Sequence, residues 1–89
     1  MVTFFILLNV RGDRITDIAE QLADMPEISE VYSVTGSYDL VAIVRARSND
    51  DVAELVTGKL GPIDGIEKTD TMLAFKTYSR HDLESMFSI

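Results

Sequence analysis

The sequence predicts an α+β sandwich: an antiparallel four-stranded sheet with two helices on one face and a short helix at the C-terminus. Three observations predict it. Four runs of β-forming residues alternate with two segments of helical apolar spacing, in the order β-α-β-β-α-β. Only Gly36-Ser37 separates the middle two runs, which makes them a hairpin. The chain has 89 residues, enough for one domain (1–89) and one modest core.

Thr3 to Val10 is the first strand, apolar at nearly every position, so both of its faces are expected to be buried. Gly12-Asp13 breaks it, with Asp13 as candidate N-cap. Ile15, Ile18, Ala19 and Leu22 then follow the i, i+3, i+4, i+7 pattern, while Asp17, Glu20, Gln21 and Asp24 take the solvated face. Met25-Pro26 ends this helix, because the residue before proline disfavours α geometry. Ile28 to Thr35 and Tyr38 to Ala46 are the hairpin strands, and a glycine followed by serine suits a type II′ turn. Ser48 or Asn49 caps a second helix, with Asp50 and Asp51 at its positive end and Val52, Leu55, Val56 and Leu60 as its apolar stripe. Gly61-Pro62 stops it. Ile66 to Tyr78 is the fourth strand, and a tail helix from Ser79 carries Leu83, Met86 and Phe87 on one side. This is the ferredoxin-like, split βαβ order.

Composition excludes several functions. With no cysteine there is neither a disulfide nor a thiolate metal site, and the single histidine, His81, cannot build a multi-histidine site. No cofactor or metal is expected. The opening "MVTFFILLNV" is too short for a signal peptide and lacks its basic start and cleavage site, and no apolar run is long enough to span a membrane. A cytoplasmic protein is the expectation. Fifteen acidic against 8 basic residues give a formal net charge of -7, with no basic cluster, which argues against direct nucleic-acid binding.

The hairpin register sorts the side chains. Thr35 faces Tyr38, Val34 faces Asp39, Ser33 faces Leu40 and Tyr32 faces Val41. One face carries Val31, Leu40, Ala42 and Val44; the other carries Tyr32, Val34, Val41 and Ile43, with Asp39 and Arg45 at its ends. Two helices cover only one of these faces. The other, extended by alternate residues of the first strand, leaves a contiguous apolar patch of a kind soluble monomers rarely expose. Tyr32, Val34, Val41 and Ile43 are therefore the expected dimer interface, at roughly 800 Å² per partner. The other cover for the patch is the tail helix.

"VTGSYDL", Val34 to Leu40, resembles the Gly-x-x-Asp hairpin in the effector-binding domain of the Lrp/AsnC transcriptional regulators, and "GIEKTDTMLAF", Gly65 to Phe75, resembles that family's last strand. The resemblance covers essentially the whole chain. It departs in one respect: full-length members carry an N-terminal helix-turn-helix, and here the effector domain starts at about residue 1, like the stand-alone members. The resemblance implies dimers made by stacking two sheets into an α/β barrel-like unit. It also implies assembly of dimers into rings and small effectors, typically amino acids, bound between dimers. It places Ser33, Thr35, Gly36 and Asp39 at the effector cleft.

Each of these residues also has a plain structural role. Gly36 is a turn glycine whose missing Cβ would let a ligand approach the backbone. Asp39 either accepts hydrogen bonds from turn N–H groups or holds the ammonium of an amino acid. Tyr38 is expected to pack. Arg11 and Gly12 read as a solvated loop, and Thr69, Asp70 and Thr71 as polar residues of an edge strand. His81-Asp82 has no nucleophile beside it and reads as surface, so no catalytic residue is expected. The leading function is a regulatory module that senses a small molecule, oligomerises, and modulates transcription by co-assembly with a full-length relative or another protein. A purely structural oligomerisation domain is the alternative. A small monooxygenase-like enzyme ranks last, because there is no tryptophan and no histidine outside the tail.

Overall fold

The structure, a computed structural model, describes residues 1–80. Its elements are β1 (Val2–Val10), a single 3-10 turn (Gly12–Arg14), α1 (Ile15–Ala23), β2 (Ile28–Ser33), β3 (Leu40–Ala46), α2 (Asn49–Glu54) continued by a π-helix (Leu55–Leu60), and β4 (Ile66–Leu73). The strands form one antiparallel sheet in the order β2-β3-β1-β4, the ferredoxin-like order the sequence predicts. The predicted tail helix, with Leu83, Met86 and Phe87, and the His81-Asp82 pair lie outside the described residues. No helix among the described residues is long and apolar enough to cross a membrane.

The core lies between the helices and one face of the sheet. Phe4, Ile6, Leu8 and Val10 of β1 and Leu40, Ala42, Val44 and Ala46 of β3 point into it, and Ile18, Leu22, Val52, Leu55 and Leu60 meet them from the helices. In α1 the observed contacts match the predicted stripe: Ile18 and Leu22 are fully buried, with Ile15 and Ala19 packed beside them. Ser48 caps α2, its hydroxyl accepting from the Asp51 N–H at 3.3 Å.

Several expectations are corrected. Only one face of β1 is buried; burial alternates along the strand, because nothing in a single protomer covers Phe5 and Leu7. Asp13 does not cap α1. Its carboxylate is taken by Arg11 at 2.7 Å, and a 3-10 turn leads into the helix instead. The second helix widens into π geometry after Glu54, with the Gly61 N–H reaching the Val56 carbonyl at 2.9 Å. Leu55 and Leu60 are both fully buried. Five residues apart, they would sit about 140° apart on an α-helix, and the wider turn brings both to the core. The last strand stops at Leu73 rather than Tyr78, because its partner runs out: the Ala74 N–H bonds the Thr3 carbonyl at 2.9 Å, and β1 begins at Val2.

Candidate functional site

The hairpin has two of the four predicted pairings and not the predicted turn; Val34 with Asp39 and Thr35 with Tyr38 fall outside the ladder. Ser33 pairs with Leu40 and Tyr32 with Val41, and the Val34 N–H donates to the Asp39 carbonyl at 3.0 Å. Neither strand continues inward, so a six-residue loop, Val34 to Asp39, replaces the two-residue turn. Asp39 is the cause. Its own N–H donates to the Leu8 carbonyl at 2.9 Å, and its carboxylate accepts the Val10 N–H at 2.9 Å. In an antiparallel ladder one residue offers both groups from its backbone. Here the Asp39 side chain stands in for the ladder carbonyl. The chain before it is thereby fastened to β1 and withdrawn from pairing with β2.

A second fastening sits beside the first. The Asn9 side-chain amide donates to the Ser37 carbonyl at 2.8 Å. Asn9 and Val10 flank an irregularity in the pairing of β1 with β4, where Asn9 meets Lys68 and Val10 meets Ile66. The sequence reading missed both residues. Asn9 carried a signal, being the one polar side chain in the run Phe4 to Val10. The role of Val10 is carried by its backbone and had none.

Held this way, the loop presents its main chain to solvent. Gly36 has φ +105°, a conformation that side-chain-bearing residues rarely adopt, and open space where a Cβ would stand. Among the described residues no acceptor meets the N–H of Thr35, Gly36, Ser37 or Tyr38, and the second carboxylate oxygen of Asp39 has no donor. Thr35, Gly36 and Ser37 are exposed and Asp39 is half-buried. The structure thus brings three of the four predicted cleft residues, Thr35, Gly36 and Asp39, onto one loop. Ser33, at the end of β2, shares the core-facing parity of Leu40.

Tyr38 does more than pack. Its hydroxyl donates to the Asp70 carboxylate of β4, and Lys68 lies 5.9 Å from its ring centroid. The bond to Asp70 raises the phenol above its ordinary pKa. Tyr32 does the same with Glu30, with the same effect. Both tyrosines border the helix-free face, where Phe5, Leu7, Val41 and Ile43 are half-buried and Tyr32, Val34 and Met72 are 48%, 37% and 49% exposed. Of the four residues predicted for a dimer interface, Tyr32, Val41 and Ile43 lie in the strands on that face, and Val34 is the first residue of the loop beyond β2.

The remaining candidates take plain roles. Arg11 is engaged by Asp13 at 2.7 Å and by Asp64 at 3.4 Å, which raises its pKa and lowers that of Asp13. No group of three acidic or histidine side chains among the described residues could hold a metal ion.

Comparison with known proteins places these features. Residues 3–83 match the Lrp/AsnC ligand binding domain. The HTH-type transcriptional regulator FL11 of Pyrococcus horikoshii is 38% identical over 74 residues, covering 83% of this chain and 48% of that protein. The chain spans about half the length of the curated relatives it matches. The crystal structure of TTHA0845 from Thermus thermophilus is 44% identical with a TM-score of 0.85, over 90% of this chain and 100% of that one. Transcriptional regulator NMB0573 from Neisseria meningitidis, in complex with L-Met, shares the fold at a TM-score of 0.81 and 18% identity, over 89% of this chain and 53% of that one. The relatives are transcriptional regulators rather than enzymes. The chain belongs to the Lrp/AsnC family, and its residues 3–83 match the family's ligand-binding domain.

Proposed function

We propose that this chain is an amino-acid-sensing regulatory module whose effector sits on the Val34–Asp39 loop. The observation that carries this reading is the pairing of free N–H groups at Thr35 to Tyr38 with the free oxygen of Asp39. A zwitterion needs both. Backbone N–H groups around a positive-φ glycine receive a carboxylate, and the Asp39 oxygen receives an ammonium. Thr35 supplies a hydroxyl at the rim, and Ser33 extends it. The L-Met complex of the Neisseria fold neighbour supports an amino acid as the ligand class.

The module works in the cytoplasm as an oligomer. Two copies stack their helix-free faces through Tyr32, Val34, Val41 and Ile43, and dimers assemble further into a ring with the effector loops between them. With a net charge of -7, the chain modulates transcription by co-assembling with other proteins, a full-length relative among them, and not by holding DNA itself.

A thermal-shift screen of the twenty amino acids at millimolar concentration tests the sensing role. At least one should raise the melting temperature, and that shift should vanish in Asp39→Asn. A flat response to all twenty would contradict the reading and leave an oligomerisation domain with an empty loop.

A further inference from the structure

We infer that the Tyr38 side chain braces the effector loop, and that a second copy stacked on the helix-free face tightens the brace. Tyr38 lies between the loop's two other fastenings, Ser37 held by Asn9 and Asp39 held by Leu8 and Val10. Those fastenings reach β1 only. The phenol goes one strand further: its hydroxyl donates to Asp70 of β4, and Lys68 of the same strand stands over its ring. The pairing of β1 with β4 sets Lys68 opposite Asn9 and Asp70 opposite Leu7, on the helix-free side with Met72 opposite Phe5. The loop with free N–H groups from Thr35 to Tyr38 is therefore tied by one side chain to the face that the proposed dimer covers.

The role of the second copy, which rests on the reading that two copies stack on this face, follows from what water does to such a bond. Asp70 and Lys68 are exposed in one protomer. Water there competes with the phenol for the carboxylate, and the ring contact with Lys68 is weak. Stacking removes that water and strengthens the bond that remains. It also requires the bond, because a carboxylate covered without a partner is strongly disfavoured. The face meets this requirement at both flanks. Among the described residues the ladder sets two carboxylates against open-face residues, Glu30 opposite Ile43 and Asp70 opposite Leu7, and each accepts a tyrosine hydroxyl. Glu30 is served by Tyr32 from its own strand, whereas Asp70 is served from the loop. Only the second tie carries the shape of the loop onto the face. The coupling is reciprocal: whatever steadies the loop favours the stacked state by the same factor.

Amide hydrogen exchange tests the brace with no ligand present, so its outcome is separate from that of the amino-acid screen. The Val10 N–H, whose acceptor is the Asp39 carboxylate, reads the fastening of the loop. The N–H of Leu22, a fully buried residue of α1, reads the core. Both are followed in the assembled protein and in the Ile43→Asp monomer, with sedimentation velocity on each sample. Dilution to monomer serves where that variant does not fold. In the assembled protein Tyr38→Phe, which keeps the ring, should speed Val10 exchange by about tenfold and leave Leu22 unchanged. Asp70→Ala should do the same, and Asp70→Asn, which keeps an acceptor, should do so less. In the monomer Tyr38→Phe should change Val10 exchange by less than about twofold. An unchanged Val10 amide in the assembled Tyr38→Phe variant overturns the brace and leaves the stacked sheets standing. An equal acceleration in monomer and dimer shows that the chain needs no second copy to brace its loop, which also overturns the proposal. Absence of any dimer overturns both the tightening and the face-stacking on which it rests.

Discussion

Asp39 works through its backbone and its carboxylate together, the N–H on Leu8 and one oxygen on Val10. That double use separates two substitutions. Asp39→Asn retains an oxygen for the Val10 N–H and removes the charge; amino-acid binding should fall about tenfold or more, while unliganded stability changes little. Asp39→Ala leaves the Val10 N–H without its acceptor and should cost about 1–2 kcal/mol in chemical denaturation. Equal losses of stability in the two variants would show that the charge, not the acceptor, holds the loop. The two positive-φ glycines make a second contrast. At Gly36 an added Cβ meets open space, so Gly36→Ala carries backbone strain alone, about 1–3 kcal/mol. At Gly65, with φ +104°, the Cβ would also stand 3.0 Å from Arg14 Cγ and 3.2 Å from Ile18 Cδ1. Ile18 is fully buried and has little room to move, so Gly65→Ala should be the more destabilising of the pair by urea titration.

Among the elements, those written in side-chain periodicity were legible in the sequence. The apolar stripe of α1, the Ser48 cap of α2 and the pairing of Tyr32 with Val41 follow from residue type and spacing, and the structure has each of them. What was not legible depends on partners far along the chain. The turn opened because Asp39 reaches β1, some thirty residues earlier in sequence. The end of β4 is set by where β1 begins, and the π turn by the need to bury Leu55 and Leu60 together. At the site, Gly36 and Asp39 were visible as residue types, whereas the four free N–H groups became visible only once the loop's hydrogen bonds could be traced.

One tie between elements gives a pH prediction. Lys59, on the π-helix, holds Glu27 of the α1–β2 connection at 2.7 Å, and this hydrogen bond lowers the Glu27 pKa below its ordinary value. Arg11 lowers Asp13 in the same direction. A carboxylate whose folded pKa is depressed contributes stability above its unfolded pKa and loses it as pH falls through the folded value. Stability should therefore decline as pH drops from the ordinary carboxylate range downward. Lys59→Met should make that decline shallower, read as the melting temperature across an acid pH series. An unchanged acid slope in Lys59→Met would mean that the pair contributes nothing to folding.

At the scale of the whole molecule, one sheet face is closed by helices and the other is open, and each has its own consequence. Ile43→Asp places a charge in the middle of the open face while leaving the core untouched. It should give a folded monomer by sedimentation at micromolar concentration, since an unpaired carboxylate buried between stacked sheets costs several kcal/mol. Unchanged assembly would move the interface elsewhere. The proposed effector loop is joined to this assembly: an amino acid held at Thr35 to Asp39 is expected to change how copies associate. Sedimentation velocity of the unmodified chain, alone and with each of the twenty amino acids at millimolar concentration, measures that link. At least one amino acid should shift the distribution of assembled species, and Asp39→Asn should abolish the shift; a distribution unmoved by all twenty would contradict the proposed sensing role.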